Sequence, residues 1–183
     1  MAGTDALIIA NRRKYEGSVE EIRSNRDWNE DAKKRMIDDV YRVARGRHAE
    51  LAQQAQTEAR ELMEKARLEA FAPPRIKDAD PALIAMSYRA ALDKVKEMSS
   101  PRVLEEVLEQ AVLVGDNVLA KAILLRGYQL HHEGLVGAYL KAYPQEKKVW
   151  DRFSDRAAEY NEVERMTRLF GTLGPRSPAD MGA

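Results

Sequence analysis

Apolar positions recur at helical spacing along nearly the whole chain. Tyr15, Val19 and Ile22 lie three and four residues apart and predict a first helix over residues 5–24. Ser18-Val-Glu-Glu21 has the form of a capping box, so a helix that starts at Ser18 after an extended arm is the alternative. Residues 24–29 are polar and predict a turn, with Trp28 expected to pack against a neighbouring element. Asn29 is a good N-cap, and Glu30 and Asp31 then fall where the helix dipole favours negative charge.

From Glu30 to about Phe71 no proline occurs, and Gly46 is the sole interruption. A continuous helix of about 42 residues would be roughly 60 Å long at 1.5 Å per residue, several times the usual length. Ile37, Tyr41, Ala44, His48, Leu51 and Ala55 follow a 4-3-4-3-4 spacing. The pattern then shifts by one residue and resumes at Ala59, Leu62, Ala66 and Ala70. A period of 3.5 predicts a narrow seam of the coiled-coil kind, and the shift resembles a stutter. Alanine fills much of the second half, so the seam buries little area. The first helix is long enough to cover only part of it. Ile37, Tyr41, Ala44, His48, Leu51, Ala55 and Leu62 are therefore the expected protein-interaction residues, completed by a second copy or by a partner.

Pro73 and Pro74 end this helix and predict a stiff hinge over residues 73–79. Four shorter helices should follow. Asp80-Pro81 begins one that reaches Met98, and Ser100-Pro101 begins one that ends at Val114 before Gly115. Asp116 caps a third, expected to run unbroken to Tyr143, and Pro144 separates it from a last one carrying Val149, Trp150, Phe153, Tyr160 and Phe170. Gly127, Gly134 and Gly137 within the third mark close helix crossings or a kink, since each costs about 1 kcal/mol relative to alanine. The fold class is all-α. An N-terminal helical arm, a coiled-coil-like hairpin, spans residues 1–72, a compact four-helix unit spans 80–171, and residues 172–183, rich in glycine and proline, form a flexible tail.

Composition sharpens this reading. Charged residues make up 33% of the chain and aromatic ones 7%, the balance of long exposed helices rather than one large globule. Thirty basic residues offset thirty acidic ones, so neither nucleic acid nor an anionic membrane is advertised as the main partner. The chain has no cysteine, which excludes disulfides and thiolate metal sites and fits a reducing cytoplasm. Near the start a short apolar run precedes Arg12-Arg13-Lys14, the reverse of the order in a signal peptide, and it is far short of the roughly 20 apolar residues that span a bilayer. The expected location is the cytoplasm.

No catalytic constellation emerges. His131 and His132 are adjacent, so on a helix they point about 100° apart, whereas a metal pair needs a spacing of three or four. One is expected to pack near Gly134 and Gly137 and the other to face solvent. The carboxylate pairs Glu20-Glu21, Asp38-Asp39 and Glu105-Glu106 have basic neighbours three or four residues away and read as ion-paired surface. Phosphate-binding loops and nucleophile-elbow motifs are absent from the sequence, and no metal, cofactor or enzymatic activity is expected. Lys34, Arg35, Arg42 and Arg45 are the candidate phosphate contacts for a nucleic-acid-associated alternative, and the interleaved Asp31, Asp38 and Asp39 largely cancel them.

Two stretches carry a resemblance: Glu21-Ile-Arg-Ser-Asn25 through Arg35-Met-Ile-Asp-Asp-Val-Tyr41, and Gly115-Asp-Asn-Val-Leu-Ala-Lys-Ala-Ile123 through Val136-Gly-Ala-Tyr-Leu-Lys-Ala-Tyr-Pro144. They resemble helical structural or morphogenesis proteins of actinobacterial tailed phages and prophages. The resemblance implies a role in the virion or its assembly, with many copies packing on a capsid, connector or scaffold in the host cytoplasm or the virion, and it transfers no active-site residue. With three phenylalanines and no β-rich segment, the chain does not suit a capsid shell or tail tube. The expectation is a non-enzymatic assembly protein that forms a homo-oligomer or binds another protein, such as a phage capsid or connector component, and does not engage a membrane.

Overall fold

The computed structural model describes residues 2–173, 175 and 177–181, and among them the secondary structure is helical, with no strand. The helices are α1 (Ala2–Ser24), α2 (Glu30–Ala70), α3 (Pro81–Lys96), α4 (Pro101–Val114), α5 (Asn117–Gln129), α6 (Glu133–Ala142) and α7 (Lys147–Leu173). Short 3-10 turns cover Pro144–Glu146 and Pro178–Met181. No helix among the described residues is long and apolar enough to cross a membrane.

The chain divides into two compact units, Met1–Met63 with Arg156–Ala183, and Glu64–Asp155. The division falls within α2 and α7 rather than at the two prolines, because Phe71 and the residues just before it pack with the helices that follow. Of the expected tail, Thr172 and Leu173 complete α7 and Pro175 is buried; residues 174, 176, 182 and 183 lie outside the described residues.

In the first unit α1 is continuous through Ser18, so the capping-box alternative is not used. Trp28 is 37% exposed in the turn. The Asn29 side chain accepts a hydrogen bond from the Ala32 amide at 2.8 Å, and α2 then runs for 41 residues without a break. Glycine is tolerated at Gly46 because helical φ is open to every residue and nothing crowds the position.

In the second unit α5 is the central helix, packed against α3, α4 and α6. Its Ala120, Ala122, Ile123 and Leu124 are all but inaccessible to solvent. Asp80 and Asp116 cap α3 and α5 through side-chain bonds to the amides of Ala82 (2.8 Å) and Leu119 (2.9 Å). Gly115, at φ 74°, ends α4 in the left-handed conformation that glycine adopts without penalty, and the Asp116 amide returns to the Ala111 carbonyl. Phe71, Tyr128, Trp150 and Phe153 form an aromatic cluster with ring centroids 5.2–6.1 Å apart. Tyr88 donates its hydroxyl to the Phe71 carbonyl at 2.9 Å, and burial pushes its pKa up to about 12.

The single helix expected over residues 117–143 is instead two, α5 and α6, joined by a sharp corner. Gly127 causes it. A Cβ there would lie 2.8 Å from Leu135 Cδ2 and 3.2 Å from its Cγ, so the chain folds back onto Gly127 and the fully buried Leu135 fills the space. His131 takes a positive φ of 53°, and His132 becomes the N-cap of α6, its Nδ1 accepting from the Leu135 amide at 3.0 Å. Gly137 has open space around it and marks no crossing.

Lys121 is the buried cation of this unit. Its ammonium donates to Glu146 Oε2 at 2.6 Å and lies 5.8 Å from the Tyr139 ring centre. Burial, and then the Glu146 charge, push the Tyr139 phenol well above its ordinary value, so it stays protonated beside the pair. Removing the carboxylate strands the ammonium, so Glu146→Ala is expected to cost about 2 kcal/mol, while Lys121→Met with Glu146→Ala should recover much of that loss. Urea unfolding of the three proteins checks this, and a double variant weaker than Glu146→Ala would exclude a stranded charge as the cause.

Candidate interaction surface

The expected seam of α2 is largely filled from within the chain. Ile37, Ala44, His48 and Leu51 are buried, Tyr41 and Ala55 are half-buried, and Leu62 is 41% exposed. Tyr15, Val19 and Ile22 of α1 pack with Ile37, Val40, Tyr41 and Ala44 in one apolar cluster. The Tyr15 and Tyr41 rings are 6.0 Å apart, and the Asn11 side-chain amide donates to the Ala44 carbonyl at 2.9 Å. Burial, with the neighbouring Tyr41 adding to it, raises the Tyr15 pKa. Of the seam residues, Leu62 alone presents a large apolar side chain to solvent, so the open surface lies elsewhere.

At 100° per residue Lys34, Arg35, Arg42 and Arg45 lie on the exposed side of α2, away from Ile37 and Ala44, but the helix surface is mixed in charge. Arg42 pairs with Asp39, Lys33 with Glu30 at 3.1 Å, and Arg47 with Glu50 at 2.9 Å. Lys34, Arg35 and Arg45 are exposed or nearly so, with Asp31 and Asp38 on the same side. Among the described residues no ring contact joins an aromatic side chain to them, and the electrostatic basis for tracking a phosphate backbone is weak.

A more open surface lies on α4 and α6. Leu104, Leu108 and Ala111 anchor α4 to the core. Val112, Leu113 and Val114 complete a four-residue apolar run that one helix face cannot absorb, and Leu113 and Val114 are 87% and 75% exposed. Beside them α4 and α6 leave an open furrow of about 350 Å3, floored by Leu108 and Val112 and bordered across by Ala138 and Ala142. Glu105 and Glu109 stand at its rim, with Glu105 Oε1 3.9 Å from His132 Nδ1.

The signal for this surface was present in the sequence. Ala111-Val-Leu-Val114 is too apolar for a helix that has already placed Leu104, Leu108 and Ala111 inward. Among the described residues no group of three or more histidine, aspartate or glutamate side chains is placed to hold a metal. No family model matches the chain, and neither a curated protein nor a solved structure matches it.

Proposed function

We propose that this chain is a non-enzymatic assembly protein that associates with copies of itself, and through them with a partner, by helix-to-helix contacts. In the setting the resemblance implies, it is a virion-associated or morphogenesis component of a tailed phage, belonging to a scaffold, head or connector assembly. The α1–α2 hairpin then serves as a coiled-coil-like arm whose inner seam is self-satisfied, leaving its outer faces for contact.

The observation that carries this reading is the exposed apolar end of α4. Leu113, 87% exposed, lines the furrow beside α6 with Val112, and Val114, 75% exposed, follows at the end of α4, so apolar surface stays in water. Contiguous apolar surface rimmed by charge is the usual mark of a contact site. Light scattering over a range of concentrations tests it: the apparent mass should rise above the 20.7 kDa of one chain. A clean monomer at high micromolar concentration, with no protein co-purifying from the native source, would remove this reading.

A further inference from the structure

We infer that the furrow between α4 and α6 is the docking site for the outer face of α1 from a second copy of this chain, an inference that rests on the self-association just proposed. The argument is one of matching order along two helices. On α4, carboxylates come first and apolar residues after: Glu105 and Glu109, then Val112 and Leu113. On α1 the inward face is taken by Ile8, Tyr15, Val19 and Ile22, all buried. Over its first four turns its outward face is apolar first and basic after, with Glu20 and Glu21 exposed beyond. Ala6, Leu7, Ile9 and Ala10 are exposed, Leu7 and Ile9 by about half, and Arg13 and Lys14 follow, also exposed.

Laid antiparallel, the two helices match in register. From the middle of Leu7–Ala10 to Arg13 and Lys14 is about five residues, and the step back from Val112 and Leu113 to the two glutamates is nearly the same, each about 8 Å at the helical rise. A knob on one helix enters a hole made by residues i, i+3, i+4 and i+7 on its partner. Leu113 is the knob that stands out most, and Ala6, Ile9, Ala10 and Arg13 have that spacing, with two small residues at the centre. One turn back, Glu109 meets the next hole, Ala10, Arg13, Lys14 and Gly17, where it lies between two cations. Gly17 has open space around it, and Ala138 and Ala142 keep the far wall of the furrow low enough for a helix to settle. Both surfaces are exposed on a single chain, so each finds its complement on another copy. The contact joins unlike patches, and copies therefore associate head to tail.

Two variants of the full chain separate the halves of the contact. Leu113→Ser disables the furrow, and Arg13→Glu with Lys14→Glu disables the α1 face; all three residues are exposed, so circular dichroism and melting should match the parent. Light scattering of each variant alone is expected to show a monomer, with association weakened by about tenfold or more. Mixed in equal amounts, they should form a one-to-one pair of about 41 kDa, twice 20.7 kDa, because each supplies the half that the other lacks. Association undiminished in either variant would overturn the docking site and leave self-association standing. Two monomeric variants that fail to pair on mixing would overturn the head-to-tail contact. A parent chain that is itself monomeric would remove both this contact and the self-association beneath it.

Discussion

Phe153→Ala should lower the stability of the Glu64–Asp155 unit by about 3–5 kcal/mol, among the largest losses available to a single truncation in this protein. Phe153 is 1% exposed and lies within 5.2–5.6 Å of the rings of Phe71, Tyr128 and Trp150. Those four rings come from three separate parts of the chain: the residue just past α2, the last turn of α5 and the first turns of α7. Truncation at the centre leaves a void that three rigid rings fill poorly, and it also removes edge-to-face contacts worth about 0.5–1.5 kcal/mol each. Trp150 reports on the site directly. Its emission should shift toward that of a solvated indole at lower urea in the variant than in the parent. An unchanged urea midpoint would show that the cluster does not hold this unit together.

The helices were legible in the sequence because their ends are local chemistry. Asn29, Asp80 with Pro81, Ser100 with Pro101, Gly115 and Pro144 each start or stop a helix through bonds or steric limits within a few residues, and each stands at or beside the expected boundary. The corner between α5 and α6 was not legible as a break. Gly127, Gly134 and Gly137 pointed to a crossing or a kink, but which of them mattered depended on Leu135 arriving against Gly127, a contact set by tertiary packing. The positive φ of His131 has no sequence signature of its own. The unit boundary was hidden for a similar reason. Two prolines end a helix, but they do not decide with which helices its last turn packs, and Phe71 was drawn into the second unit by Tyr128, Trp150 and Phe153.

The seam of α2 shows the same limit at the candidate site. Its spacing announced an apolar stripe, yet spacing does not reveal whether the stripe is filled by the chain itself. Leu51 and Leu62, both expected to face a partner, are separated by the structure: Leu51 is 2% exposed and Leu62 41%. Their glutamate variants should therefore part company. Leu51→Glu removes a buried side chain and asks a carboxylate to enter its place, and the sum is a loss of at least about 4 kcal/mol. Leu51 belongs to the Met1–Met63 and Arg156–Ala183 unit, so amide exchange there should accelerate while α5 stays protected. Leu62→Glu places the same charge in water on a helix that already carries Glu61 and Glu64, and it should cost less than about 1 kcal/mol. Thermal melting and hydrogen exchange of the two variants decide the matter. Equal and small losses would mean that Leu51 is not held inside its unit as the structure has it, and the seam would again be open to a partner. Unequal losses would show that the chain itself fills the seam at Leu51 and leaves it open at Leu62.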